Sequence, residues 1–532
     1  MIKRLLSSPS LALLTCSLMA QNAVAPAPVS LPSAPQLIQQ GREAFRNGKW
    51  DAAAEKFQAA ITQDSKSGEA FAGLSRTYLR QEKVQQALET ATRGLEAAPD
   101  YVPGHSALGE VYFRQGLMNN AEKEFVKGAN ASPPDPRAFL GLSAIYDAFS
   151  LHAQAKKMLN RAHELDPDDP EIVREWGFTL KRAERIKVLE RYMSAPNGDD
   201  TDEREWLGKY VDLLKQRESN PNLRCRLANK LSSTEADLQA LLIDPRHLRG
   251  YGLNVSVNGK SSRLLLDTGA GGIIINKRLA EKAGIKQLST IKFGGIGDAG
   301  LRSGYIGYAD SIKVGELEFR NCLVEVSEKR FLVDEDGLIG ANVFSRYLVT
   351  IDFLWHKLKL EQLPKRTGEQ EETASLDVDD EDENAEPHDR YIAPEMQGYT
   401  KVLRFGHDLL IPTWIGSDPT PKLFLIDTGA VTNNMSLSAA RGVTGVHHDA
   451  LTEVRGVSGE VKKVYSADKA KIHFSHFEQE NQDILTIDMS SISKHTGTEV
   501  SGILGFTTLR LFNIKIDYRD GLVDFIYNGE KR

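Results

Sequence analysis

The phrase Asp-Thr-Gly-Ala occurs twice in the chain, as Asp267-Thr268-Gly269-Ala270 and as Asp427-Thr428-Gly429-Ala430. Each copy follows an unbroken apolar run, Leu264-Leu-Leu or Leu423-Phe-Leu-Ile, so each aspartate is expected where a strand exits into a turn. One copy alone is an ordinary strand exit. Two copies raise a specific chemistry. Carboxyls brought into contact cannot both ionise, so they share a proton. The pair then holds a base for a proton of water and an acid for a carbonyl oxygen. Such a pair titrates as a unit. Competing groups are bland. His447-His448 lies in a polar stretch, and Asp334-Glu-Asp336 is expected as loop charge. No Cys/His spacing suits zinc, and no metal or cofactor is expected.

The elements that must position the aspartates repeat as well. Leu338-Ile339-Gly340 and Ile503-Leu504-Gly505 follow the two phrases at similar distances. Each triplet leads into a short helical stretch and then a closing strand, Tyr347-Leu-Val-Thr-Ile-Asp-Phe353 or Phe512-Asn-Ile-Lys-Ile-Asp-Tyr518. Between the landmarks lie Gly-rich hairpin candidates, with Gly294, Gly295 and Gly297 in one copy and Gly456 and Gly459 in the other. Alternating apolar and polar residues mark residues 244–364 and 399–532 as all-β. The intervening 365–398 is rich in Glu and Asp and is expected as a disordered linker.

This order resembles the retropepsin-like aspartic peptidases of the gag-polyprotein type, in particular a bacterial branch that follows tetratricopeptide repeats. The resemblance covers residues 250–363 and 399–528. It implies a small β-barrel per lobe, with Asp267 and Asp427 as the catalytic pair. It further implies that Thr268 and Thr428 brace the two loops across the lobe interface, that the Leu338 and Ile503 triplets pass beneath them, and that the Gly-rich hairpins serve as flaps. Gly269 and Gly429 would permit close backbone approach, and Ala270 and Ala430 match the retroviral form. A peptide or protein is the implied substrate, with the lobes paired inside one monomeric chain.

Upstream, Ala53, Ala87, Ala121 and Ala155 lie 34 residues apart, in register with Tyr78, Tyr112 and Tyr146 and with Pro99, Pro133 and Pro167. The packing series Phe57, Ala91, Phe125, Leu159 and the small series Ala60, Gly94, Gly128, Ala162 keep the same period. This is the tetratricopeptide pattern of paired antiparallel helices ended by proline. It assigns residues 36–190 to an all-α solenoid that folds alone and binds a protein partner, and 191–243 to a helical connector whose Trp206, Tyr210 and Leu214 share a face. The fold class is therefore multidomain, a tetratricopeptide solenoid followed by two retropepsin-like barrels.

Residues 1–20 have the basic start and short apolar run of a signal peptide, with a Pro/Ala-rich linker over 21–35. No later run is long enough to span a bilayer. Export to a bacterial periplasm or the outside is expected, with a lipoprotein anchor less favoured. The net charge of −7 owes much to Glu369–Glu386, and no basic stripe points to nucleic acid. Of the three cysteines, Cys16 leaves with the signal, and Cys225 and Cys322 could form one bridge in an oxidising compartment but are expected as two buried thiols. The competing function is a non-catalytic envelope scaffold that grips a peptide without cutting it.

Overall fold

The computed structural model describes residues 31–220, 223–229, 231–328, 335–366 and 386–529. The signal segment 1–20, most of the 21–35 linker and residues 367–385 of the linker expected over 365–398 lie outside them, but its end, 386–398, is ordered, with Ala393 and Met396 buried beside Leu522.

Small residues at the 34-residue period let helices meet, and the structure places them at those contacts. Ala53, Ala87 and Ala121 are fully buried, and Ala155 nearly so. Helices Ala34–Arg46 and Trp50–Gln63 form the first antiparallel pair, and the pattern repeats through Pro136–Ala148 and His152–Leu165. Buried aromatic rings fill the space that glycines leave. A Cβ at Gly73 would lie 2.5 Å from Phe57, and one at Gly141 2.2 Å from Phe125. A shorter pair follows, Pro170–Phe178 with Arg182–Ser194, and then helix Thr201–Ser219. This last helix buries Leu207, Val211 and Leu214, while Trp206 stays exposed and stacks on Tyr210.

The connector expected as helical over 191–243 is corrected at its end. Ser233–Asp244 is a strand, paired through Ser233–Asp237 with Lys357–Glu361 and further along with His247–Val257. Leu238 and Leu241, three residues apart on this strand, are buried in two different apolar cores, Leu241 with Leu265 and Leu338 of the first lobe.

Both lobes have the same topology. In the first, His247–Val257 pairs antiparallel with Lys260–Asp267. Lys260–Asp267 runs parallel to Gly337–Gly340. Ile273–Asn276 joins that triplet strand to Leu317–Ser327, and Arg302–Val314 closes back onto His247–Val257. In the second, Asp408–Ile415, Lys422–Ile426, Gly502–Leu504, Asn434–Ser436, Phe477–Ile487 and Tyr465–Phe474 repeat the circuit. The closing strands Tyr347–Asp352 and Phe512–Asp517 pair antiparallel, so one sheet crosses from lobe to lobe within the chain. Val349, Ile351, Ile514 and Ile516 are buried along that seam.

Two further expectations change. Cys225 and Cys322 form a disulfide between segments 97 residues apart in sequence, not two free thiols. Nor are the repeats a separate body. Met118, Phe125, Leu142 and Ile145 share one apolar core with Leu403, Leu410, Leu423 and Ile503 of the second lobe. At its edge the Glu499 amide donates to Arg114 O at 2.9 Å and the Thr498 hydroxyl to Phe113 O at 2.7 Å. The apolar face that a solenoid would expose is covered by a barrel.

This shared core predicts that Phe125→Ala, which empties a buried ring site, costs about 3–5 kcal/mol. Thermal denaturation followed by helical and by tertiary signals should show one common shift. A helical transition that moves alone would show that repeats and lobe unfold independently.

Candidate active site

Apolar strands deliver both Asp-Thr-Gly loops to the lobe interface. In the first lobe Leu264–Asp267 lies parallel to Gly337–Gly340, with Asp267 opposite Gly340. In the second the Asp427 amide donates to Leu504 O at 3.1 Å. The Leu338-Ile339-Gly340 and Ile503-Leu504-Gly505 triplets therefore lie directly beside the aspartate strands. Their glycines are sterically required. A Cβ at Gly340 would lie 2.3 Å from Ala270 O, and one at Gly505 2.2 Å from Thr432 O.

Reciprocal hydrogen bonds tie the loops together. The Thr268 hydroxyl donates to Ile426 O at 2.7 Å and accepts from the Thr428 amide at 3.0 Å. The Thr428 hydroxyl donates to Leu266 O at 2.9 Å and accepts from the Thr268 amide at 3.1 Å. Both threonines are buried, so each bond satisfies a group that water cannot reach. Each motif glycine then faces the opposite carboxyl. A Cβ at Gly269 would lie 2.6 Å from Asp427 Cγ, and one at Gly429 2.5 Å from Asp267 Cγ. Only glycine allows that approach.

The carboxyls of Asp267 and Asp427 are hydrogen-bonded to each other. Burial raises both, and the neighbouring Asp427 charge drives Asp267 well above the usual carboxylate range. The two differ in their amide partners. Asp427 Oδ1 accepts from the Gly429 amide at 2.7 Å and the Ala430 amide at 2.9 Å, whereas Asp267 Oδ1 accepts from the Gly269 amide at 2.9 Å. More amide donors favour ionised Asp427, which leaves the shared proton on Asp267.

Arg249 is not signalled in the sequence, and Glu335 is marked there only as loop charge. They form an ion pair at 3.0 Å with both side chains largely buried, and the Arg249 charge acts on both aspartates. Glu335 is thus not loose loop charge. Asp336 accepts from Asn276 at 3.3 Å, and Asp334 lies outside the described residues. His447 and His448 are exposed, as expected.

The Gly-rich hairpins meet tip to tip. The Gly295 amide donates to the Ser458 hydroxyl at 3.1 Å, the Ser458 amide to Ile296 O at 3.0 Å, and the Ala299 amide to Ser458 O at 2.9 Å. Gly297 has φ +130, and a Cβ there would lie 2.4 Å from the Ser458 backbone. A Cβ at Gly456 would come equally close to Ile296 O. Gly294 and Gly459 stand beside them.

The raised carboxyl makes stability depend on pH. Above about pH 4 the unfolded chain releases a proton that folded Asp267 keeps, so the contribution of this group to stability falls as pH rises. Asp267→Asn removes this titration. It should melt close to wild type near pH 3.5 and above it at pH 7. Melting curves that stay parallel across that range would contradict the shared-proton assignment.

Residues 253–346 match the family model described as "gag-polyprotein putative aspartyl protease", and residues 38–102 and 73–136 match a tetratricopeptide-repeat model. Among curated proteins the chain is similar to DNA damage-inducible protein 1 of Neurospora crassa, 25% identical over 188 residues, which is 35% of this chain and 38% of that protein. It is also similar to the UBA domain-containing protein Mud1 of Schizosaccharomyces pombe, 31% identical over 19% of this chain and 30% of that protein. The DNA damage-inducible protein 1 of Chaetomium globosum is 34% identical over 20% of this chain and 23% of that protein. The chain thus spans well under half the length of these relatives. Among solved structures, a thermophilic tetratricopeptide-repeat protein of Thermus thermophilus aligns over 35% of this chain and all of its own, at 21% identity and a TM-score of 0.29. Residues 253–346 are thus a domain of the gag-polyprotein aspartyl protease family, and the chain carries it behind tetratricopeptide repeats.

Proposed function

We propose that the two lobes form one aspartic endopeptidase, with Asp267 and Asp427 as its catalytic pair. The observation that carries this reading is the hydrogen-bonded contact of the two carboxyls inside the reciprocal threonine brace. A groove that merely grips peptide has no use for two buried acids in contact, because their burial costs stability.

Asp427, which accepts the two amides, takes a proton from water as the water oxygen attacks the peptide carbonyl. Asp267 gives its proton to the carbonyl oxygen, forming a neutral tetrahedral diol. In the collapse of the diol one hydroxyl gives its proton to Asp267 while Asp427 gives its proton to the nitrogen, so the C–N bond breaks and the carboxyls again share one proton. The interlocked tips at Gly295 and Ser458 must part to admit a peptide and can close over it afterwards, excluding water. The Cys225–Cys322 disulfide supports an oxidising compartment, hence export. The repeats supply a protein-binding surface, whose concavity of about 380 Å³ sets Arg42, Arg76, Arg137 and Arg174 against Glu69 and Glu171. The sheet that joins the lobes inside the chain supports a monomer.

Turnover of a denatured protein mixture tests the proposal. Asp267→Asn and Asp427→Asn should each lower it by about 10²–10⁴-fold with circular dichroism unchanged. An equimolar mixture of the two variants should stay inactive, because each chain supplies both lobes. Recovery on mixing would show exchange of lobes between chains, full activity of either variant would overturn the shared-dyad mechanism, and no turnover by the wild type would leave the scaffold reading standing. The rate should rise as Asp427 ionises and fall as Asp267 loses its proton, giving a maximum at mildly acidic pH.

A further inference from the structure

Beside the aspartate loops, three side chains converge that the proposed peptidase reaction does not use. His407 and Asp408 lie at the turn between strands Leu403–Phe405 and Asp408–Ile415, and His495 lies on helix Ser490–Thr496. Gly406, with φ +61, opens the two-residue turn and sets the His407 ring inward. That ring rests on the loop after the first aspartate motif, where a Cβ at Gly271 would lie 2.7 Å from His407 Nδ1. Gly271 therefore makes the room that His407 occupies.

We propose that His407, Asp408 and His495 form a binding site for one divalent first-row transition ion of the zinc class. One nitrogen or oxygen from each residue lies within 4.8 Å of the other two. His407 Nε2 stands 3.4 Å from Asp408 Oδ1. Donors about 2.0–2.1 Å from a tetrahedral ion are themselves roughly 3.4 Å apart, so this pair already has ligand spacing. The imidazoles of His407 and His495 have centroids 5.8 Å apart, and His495 is exposed and free to turn inward. Asp408 is 3% exposed. Among the described residues the ion-pair partner shown for its carboxyl is His407, and the charged groups that act on it are His495 and Asp427, so a buried carboxyl faces the cluster. Two imidazoles and one carboxylate select zinc-class ions over magnesium or calcium, which take oxygen donors. A fourth position stays open to water.

The site has a consequence for the architecture. Helix Ser490–Thr496 is held by the repeats, through the Arg114 guanidinium on Ser493 O and Lys494 with Glu82 at 3.5 Å. Phe405, next to the turn, meets Phe113 edge to face. An ion at this point fastens the repeat-bound helix to the loop that follows Asp267.

Tag-free protein, stripped of metal, is titrated with Zn²⁺ in a calorimeter and with Co²⁺ in a spectrophotometer. The expected result is one ion per chain, with the visible band of four- or five-coordinate cobalt. His407→Ala and His495→Ala should each weaken zinc binding by at least about 100-fold. The double variant His447→Ala/His448→Ala, which removes the other histidine pair, should bind as wild type. Absence of stoichiometric binding overturns the assignment. So does binding that survives either single variant, or binding lost in the double variant. None of these readouts depends on peptide cleavage, so the site stands or falls apart from the proposed activity.

Discussion

The contact between two buried carboxyls is the constraint around which both lobes are built. Unpaired, either acid would be costly to bury, and two ionised together would repel at short range. The contact persists because each loop supplies the other's missing partners. The Thr268 and Thr428 hydroxyls each serve an amide and a carbonyl across the interface, and each motif glycine opens space for the opposite carboxyl. Neither loop can hold this geometry alone. The sheet that pairs Val349 with Ile516 fixes the distance between the lobes, so a continuous seam of buried β-branched residues sets the relation of the two acids.

The same logic of mutual cover extends to the repeats. A solenoid face that carries Met118, Phe125 and Ile145 would be an open apolar patch, and the second lobe covers it. Contacts on the other side are polar. Lys292, at the base of the first hairpin, bonds to Asp202 at 2.9 Å on helix Thr201–Ser219. Both groups are substantially exposed, so water and salt screen the pair and it contributes little to stability. The apolar core therefore docks the repeats, while the hairpin contact is a weak, exposed one. The repeats are thus joined firmly to one lobe and loosely to the hairpin of the other.

The parts of this arrangement that are legible in the sequence are those written in local or periodic form. The 34-residue register predicts which alanines are buried, and the repeated triplets predict the strands beside the aspartates. What stays hidden depends on residues far apart in the chain, whose meeting no spacing encodes. Cys225 and Cys322 are joined only because Arg226–Leu227 pairs with Leu317–Ser327. Arg249 meets Glu335 because strands from opposite ends of the first lobe converge. The strand Ser233–Asp244 reads as part of a helical connector because its polar, lightly buried start lacks an apolar stripe. Its role is set by the partner strand Lys357–Gln362. The repeats read as independent because their own pattern is self-sufficient, and nothing in that pattern marks a face for a barrel.

The differences between the lobes follow from the asymmetry of the pair. In the second lobe the Ala430 amide adds a donor to Asp427, and Asn433 Oδ1 accepts from the Gly505 amide at 2.9 Å. In the first, the Gly272 amide donates to Asn342 Oδ1 at 3.1 Å, and the His407 ring lies against Gly271. Val431-Thr432 could not replace Gly271-Gly272 there. A Cβ at position 271 would strike His407, and Gly272 has φ +64, which a β-branched residue resists. A homodimer of either lobe would have to place two identical loops at this interface, with no room on one side or no filling on the other. Carrying both halves in one chain lets one loop favour the ionised carboxylate while the other keeps the proton.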